Sequence, residues 1–186
     1  MYEQIVTLID SEMRYKKKFV LAIDGMAGSG KTTLAHILQE NYSEKANLIS
    51  MDDFYLPAED AFMHNNYADH INVKMFLQSI LNPLSFHQDI TYKPFLCKLQ
   101  KYGTSITLTS KPICIIEGTY SCLPIFEQFY NLKICLITSK HQQEQRLLKR
   151  EGEINIKKFD EIWLPRERTY FSETSIFKRM DFIMRT

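Results

Sequence analysis

Apolar residues fall into two kinds of block along this chain. One kind is short and unbroken: Phe19-Val-Leu-Ala-Ile-Asp24, Ala46-Asn-Leu-Ile-Ser50, Ile113-Cys-Ile-Ile-Glu117 and Leu132-Lys-Ile-Cys-Leu-Ile-Thr138. Runs of this length without alternation read as parallel strands buried on both faces. The other kind places apolar residues three and four apart. Residues 1–18 carry Tyr2, Ile5, Val6, Ile9 and Met13 on one face, and Thr33–Glu40 carries Leu34, Ile37 and Leu38. Asp69–Leu81 carries Val73, Phe76, Leu77 and Ile80, with Asn82-Pro83 ending that helix. Ser139 and Gln142 open a helix that Gly152 closes. Residues 155–172 carry Ile156, Phe159, Ile162, Trp163 and Tyr170, with a kink at Pro165, and Asp181–Met184 reads as the last strand. Strands alternating with helices predict a three-layer α/β domain around a parallel sheet of about five strands, with right-handed crossovers.

Residues 56–110 are too long for a plain crossover and predict an inserted substructure. Ile90–Phe95 and Ser105–Thr109 read as two short strands joined through Gly103, with Pro94 placing the first at an edge. No repeat or composition shift divides the chain, so residues 1–186 read as a single domain.

Composition narrows the function. Lysine plus arginine number 23 against 22 acidic residues, and no global field points to nucleic acid or to an anionic membrane. No apolar stretch is long enough to span a bilayer, and Glu3 and Asp10 interrupt any signal core near the N-terminus. Cys97, Cys114, Cys122 and Cys135 show no zinc spacing; Cys114 and Cys135 lie in strand-like runs and read as reduced core thiols of a cytoplasmic protein. Lys16, Lys17 and Lys18 read as a solvated helix end, and His64, His70, His87 and His141 as surface or packing residues. The pattern sets no oligomeric state.

The chemistry gathers at strand ends. Gly25-Met26-Ala27-Gly28-Ser29-Gly30-Lys31-Thr32 fits G-x-x-x-x-G-K-[ST], between a strand and a helix that Thr33 enters. In that context the glycines curl the backbone so that N–H groups face phosphate oxygens, beside the positive end of the helix dipole. Lys31 reaches the β- and γ-phosphates and the Thr32 hydroxyl can hold Mg²⁺. Asp52 and Asp53 follow the second strand, where ligands bind in open α/β sheets, and that position favours catalysis over a simple turn or cap. Glu117 ends the strand at 113–117, a place suited to holding Mg²⁺ directly or through water. Arg146 and Arg150 are four apart beside Lys149; they either clamp the polyphosphate or form a solvated basic helix end.

Ser50-Met-Asp-Asp-Phe-Tyr55 and the Glu117-Gly118 pair resemble segments of uridine kinases and the related phosphoribulokinase-like and pantothenate kinase-like P-loop enzymes. The resemblance runs along most of the chain and is strongest in these blocks. It implies the P-loop NTPase fold, ATP and Mg²⁺ as cofactors, and a small-molecule acceptor. It makes Asp52 the base facing the acceptor hydroxyl and Tyr55 a wall of the acceptor pocket. It gives Asp69, of an Asp-His pair, the sugar hydroxyls, and Tyr92 the nucleobase, and makes Arg146 and Arg150 lid cations. Two departures stand out. Cys97 lies where those kinases carry a pyrimidine-reading histidine, and Glu151-Gly-Glu153 replaces a longer arginine-rich lid. Trp163–Phe171 resembles a segment of bacterial uridine kinase-like proteins without implying roles for its residues. The expected activity is ATP-dependent phosphorylation of a hydroxyl on a small molecule, with uridine or cytidine first. A ribosylated vitamin, pantothenate or a sugar phosphate is the alternative acceptor, and a noncatalytic nucleotide-binding regulator is the alternative class. A GTPase switch would carry Asn-Lys-x-Asp, which this sequence lacks.

Overall fold

The computed structural model of the chain describes residues 2–61 and 66–186, so His64 lies outside the described residues. In chain order the main elements begin with α1 (Tyr2–Met13), β1 (Phe19–Gly25), α2 (Lys31–Tyr42) and β2 (Ala46–Ser50). A tight 3-10 turn, Met51–Phe54, follows β2. The insertion contains α3 (Val73–Phe76), a π-helical stretch (Leu77–Leu81), α4 (Asn82–Ser85), β3 (Ile90–Tyr92), β4 (Phe95–Leu96), β5 (Lys101–Tyr102) and β6 (Ile106–Leu108). The chain then returns to the main sheet through β7 (Ile113–Glu117) and β8 (Leu132–Ile137). It ends with α5 (Lys140–Lys158), a π-helical stretch (Phe159–Trp163), α6 (Leu164–Glu173), α7 (Ile176–Arg179) and β9 (Phe182–Arg185).

The main sheet has five parallel strands in the order β2-β7-β1-β8-β9. Every residue of β1 and β7 is buried, as unbroken apolar runs require when helices cover both faces. The period-two alternation divides β1 between two cores. Leu21 and Ile23 pack with Ile5 and Ile9 of α1 and Leu34, Ala35 and Leu38 of α2. Val20 and Ala22 pack on the other side with Phe54, Phe76, Ile80, Phe126, Tyr170 and Phe171. Three layers result, with α1 and α2 on one face and the insertion and α6 on the other. No helix among the described residues is long and apolar enough to cross a membrane. Cys114, Cys122 and Cys135 are buried free thiols, and Cys97 is exposed.

Several boundaries differ from the sequence pattern for physical reasons. The first helix stops at Met13, before the lysine run. On α2 the buried face uses Ala35 rather than Ile37, which is 45% exposed. The Asp69 helix begins only at Val73, where the Asn72 side chain accepts the Met75 amide as an N-cap. Pro83 does not end it. The π-helical stretch precedes Pro83, which then sits in the first turn of α4 and has no need of an N–H there. Pro165 likewise sits in the first turn of α6, directly after the π-helical stretch Phe159–Trp163. Gly152, by contrast, does end a helix as expected: at φ 77° and ψ 168° it breaks the helical backbone within Lys140–Lys158, and a second helix begins beyond it. The hairpin consists of two short antiparallel ladders, β3 with β6 and β4 with β5, divided around Pro94. The last strand is shifted by one residue, to Phe182–Arg185.

Gly118, just past β7, has φ +134°, and a Cβ there would lie 2.7 Å from Met51 Cβ and 3.3 Å from Met51 N. Gly118→Ala is expected to destabilise the fold by about 2 kcal/mol, through backbone strain and the collision with the turn that carries Asp52. Chemical denaturation checks this value.

Candidate active site

The loop between β1 and α2 is shaped by close approach. Gly25 has φ +138°, and a Cβ there would stand 2.0 Å from Leu136 O of the neighbouring strand. Gly28 and Gly30 also have positive φ, 71° and 90°. The loop carbonyls are held by side chains, one after another. Lys31 Nζ donates to Gly25 O (3.0 Å) and Met26 O (2.9 Å), and Thr119 Oγ1 also donates to Gly25 O (3.0 Å). Gln143 Nε2 donates to Ala27 O (3.0 Å), Arg146 to Gly28 O (3.1 Å) and Thr186 Oγ1 to Ser29 O (3.0 Å). Gly30, the N-cap of α2, offers no side-chain cap. The N–H groups of Gly25, Met26, Ala27 and Ser29 are taken within the protein, so the loop's N–H at Gly28 and those at the start of α2, which no side chain caps, are the ones placed to meet an anion.

The acidic side of the site is assembled by strand register. Ile23 of β1 and Ser50 of β2 both stand opposite Glu117 in the parallel ladders. The Thr32 hydroxyl donates to Glu117 Oε2 at 3.0 Å and the Ser50 hydroxyl to Oε1 at 2.9 Å. Burial, and then the charge of Asp52, push the Glu117 carboxyl up, against the hydroxyl bonds and Lys31. A cation beside this carboxylate would relieve that strain, so Thr32 and Glu117 suit a divalent metal ion. No set of three or more His, Cys, Asp or Glu forms a metal cage among the described residues. One carboxylate and one hydroxyl match the few protein ligands that Mg²⁺ takes alongside phosphate oxygens and waters.

Asp52 and Asp53 are separated by the turn that follows β2. The Ser50 hydroxyl accepts the Asp52 amide at 3.4 Å, and Asp52 is exposed, near both Glu117 and the Tyr55 hydroxyl. Burial, followed by the Asp52 charge, pushes Tyr55 well up, so it stays a neutral hydroxyl. Asp53 turns the other way and accepts the Tyr92 hydroxyl at 2.9 Å. Tyr92 itself is buried and stacks on Phe54.

Asp69 and His70 reach the same end of the sheet through a short bridge. Leu56 N donates to His70 O and Asn72 N to Phe54 O, tying 69–72 to the turn after Asp52. The Asp69 carboxylate is paired with Arg166 at 2.7 Å, and Arg166 also donates to Asn66 O. His70 is buried among Tyr55, Tyr120 and Trp163; burial first and Arg166 second push it down to about 4. It is a neutral packing residue at pH 7. Beside it lies a cleft of about 440 Å³ lined in part by Asn66, Tyr67, Arg166 and Thr169.

Arg146 and Arg150 do not share a target. Arg146 braces Gly28 O and Thr186 Oγ1, while Arg150 contacts Glu151 at 2.6 Å and lies 5.5 Å from the Phe159 ring centroid. Behind the loop stand two carboxylates that the sequence pattern left without a role. Asp24, fully buried, accepts from Gly25 N (2.6 Å), Cys122 N (2.8 Å) and the Tyr170 hydroxyl (2.7 Å). Glu167 accepts from Ala27 N at 2.6 Å and from Gln143 Nε2 at 3.1 Å. Both carry a sequence signal, a charged residue in an apolar phase. Asp24 is the penultimate residue of a buried strand, and Glu167 shares a helical stripe with Leu164, Tyr170 and Phe171.

Three solved structures that share the fold are described as kinases. A possible uridine kinase from Bacillus stearothermophilus superposes with a TM-score of 0.73 at 20% identity, covering 98% of this chain and 97% of the other. A proposed fructose transport system kinase from Silicibacter sp. TM1040 gives 0.67 at 18% identity, covering 92% and 91%. D-glycerate 3-kinase from Cryptococcus neoformans gives 0.57 at 12% identity, covering 84% and 80%. The family model of the KAP P-loop domain matches residues 1–172. The match to the KAP P-loop domain over residues 1–172, with the phosphate loop between β1 and α2 inside it, places this chain in the KAP family of P-loop domains, on a fold it shares with the possible uridine kinase from Bacillus stearothermophilus.

Proposed function

We propose that this chain is an ATP-dependent kinase that transfers the γ-phosphoryl group to a hydroxyl of a small molecule. The observation that carries the reading is the convergence of three parts at the carboxyl ends of β1, β2 and β7. These are the phosphate loop with Lys31, the Thr32–Glu117 pair, and the exposed Asp52 carboxylate beside them. Thr32 and Glu117 would hold Mg²⁺, whose charge would offset that of the phosphates. Gly25 to Thr33 cradle the triphosphate, and Lys31 swings from the Gly25 and Met26 carbonyls to the β- and γ-oxygens. Asp52 orients the acceptor hydroxyl and takes its proton as the oxygen bonds to phosphorus; the bond to the β–γ bridging oxygen breaks and ADP leaves. Tyr55 and Asp69 line the acceptor side. Arg146 braces the loop from outside, and Arg150 is free to reach the polyphosphate only by leaving Glu151.

A nucleoside such as uridine or cytidine is the first acceptor on this reading. A second reading, a different hydroxyl-bearing metabolite, is favoured by one observation: the Tyr92 hydroxyl is already bonded to Asp53. With Cys97 in place of a histidine nearby, few polar groups are left to read a pyrimidine edge. A site that does hydrogen-bond a base rejects analogues sharply, because its own groups would otherwise stay unpaired. Uridine and cytidine are therefore expected to differ by less than about tenfold in kcat/KM. The test is acceptor-dependent ADP release across nucleosides, vitamins and sugars. A rise with one of them supports the kinase reading. ATP binding without any acceptor-dependent release supports the noncatalytic regulator, and a strong preference for one pyrimidine nucleoside contradicts the relaxed-recognition argument.

A further inference from the structure

We infer that Glu167 is a positioning residue for the phosphate loop, acting with Gln143 to fix the Ala27 peptide. The inference rests on the reading that this loop binds nucleotide phosphates. Both polar groups of Ala27 are taken by side chains far away in sequence: Glu167 Oε2 accepts its N–H at 2.6 Å, and Gln143 Nε2 donates to its carbonyl at 3.0 Å. The same Gln143 nitrogen donates to Glu167 Oε1 at 3.1 Å, closing a ring through α5, α6 and the loop. Glu167 is 4% exposed and Gln143 5% exposed, so neither side chain is free to swing away into water. Gln143 and Arg146 stand three apart on α5, and they hold successive loop carbonyls, Ala27 O and Gly28 O.

A buried carboxylate at the back of an anion-binding loop is an unfavourable choice on charge alone, since it opposes the phosphate. Its geometry supplies the reason for it. Ala27 N–H points outward, to Glu167, and a charged acceptor holds that donor more firmly than a neutral one. Fixing this peptide fixes the orientation of the next ones, whose carbonyls also face out. A preset loop does not have to be ordered when the phosphates arrive, so ordering entropy is not lost on binding. Two opposite outcomes follow from the two roles available to this carboxylate. If it positions the loop, removing it weakens phosphate binding. If it is only a buried charge near the site, removing it strengthens phosphate binding.

The experiment is calorimetric titration of MgATP, and of inorganic tripolyphosphate, into the wild-type chain and Glu167→Ala, Glu167→Gln and Gln143→Ala, with thermal unfolding of each. Glu167→Ala is expected to raise Kd for both probes by about tenfold or more, because both lean on the loop. Gln143→Ala and Glu167→Gln are expected to show smaller losses of the same sign. The glutamine retains an acceptor for Ala27 N–H but sets its amide nitrogen against that of Gln143. Variants that bind both probes as tightly as the wild type, or more tightly, while only their unfolding midpoints fall, overturn the inference and leave nucleotide binding standing. A wild-type chain that binds neither probe overturns the nucleotide reading itself. If Glu167→Ala does not fold, Glu167→Gln and Gln143→Ala decide by the same criterion.

Discussion

Lys31→Ala lowers kcat by about 10³-fold, the upper end of what one preorganised charge stabiliser contributes in a water-poor site. The lysine head is aimed at the loop interior, where charge develops as the phosphoryl group moves. Three carboxylates, Asp24, Glu117 and Glu167, interact with it, so its positive charge also balances an otherwise acidic pocket. The loop itself should survive the change. Gly25 O keeps the Thr119 hydroxyl as a donor and Met26 O keeps the Ser29 amide. The far-ultraviolet circular dichroism spectrum is therefore expected to match the wild type while turnover disappears. Unchanged turnover in a folded Lys31→Ala chain would remove the site assigned to the loop.

Asp52→Asn lowers kcat by about 10²–10⁴, the usual worth of a positioned general base. Asparagine keeps the shape and one acceptor oxygen but cannot take the hydroxyl proton. MgATP affinity is expected to stay within about threefold, because the loop, Thr32 and Glu117 are untouched. The neighbouring residue supplies the control. Asp53 is bonded to the buried Tyr92 hydroxyl, and asparagine can still accept that bond, so Asp53→Asn is expected to cost less than about tenfold in kcat. Initial-rate kinetics on both variants give the comparison. A dead Asp53→Asn beside a normal Asp52→Asn would exchange the two roles.

The separation of these two aspartates marks where sequence reasoning stopped. On an extended strand adjacent side chains point to opposite sides. Here the chain leaves β2 in a 3-10 turn, so strand parity does not apply, and the Ser50 cap and the Tyr92 bond decide the directions instead. What the sequence did disclose was local or periodic. The loop, its flanking strand and helix, and Glu117 at the end of a fully apolar run are each readable within about ten residues. The approach of Thr32 to Glu117 followed from placing the helix that follows the loop and the end of a buried strand at one end of the sheet, and the structure brings them to 3.0 Å.

The hidden part consists of long-range partners. Gln143, Glu167 and Thr186 reach the loop across 116, 140 and 157 positions, and no short pattern encodes such pairs. Arg166 lies next to Glu167 on α6 but points to Asp69, 97 positions away. The segment 163–171 was recognisable as a block, yet its individual roles depend on how α6 sits between the loop and the insertion. The Pro83 boundary failed for a different reason. Proline is tolerated in the first turn of a helix, and after the π-helical stretch Pro83 falls in the first turn of α4.

The most direct test of the central claim follows the phosphoryl group itself. The chain is incubated with Mg²⁺, ATP labelled in the γ-phosphate and a panel of nucleosides, vitamins and sugars, and the products are separated by chromatography. The account predicts a labelled phosphate ester on at least one hydroxyl-bearing acceptor, formed by the wild-type chain and reduced by about 10²-fold or more in Asp52→Asn. Labelled inorganic phosphate as the sole product, released at the same rate with and without every acceptor, would contradict it.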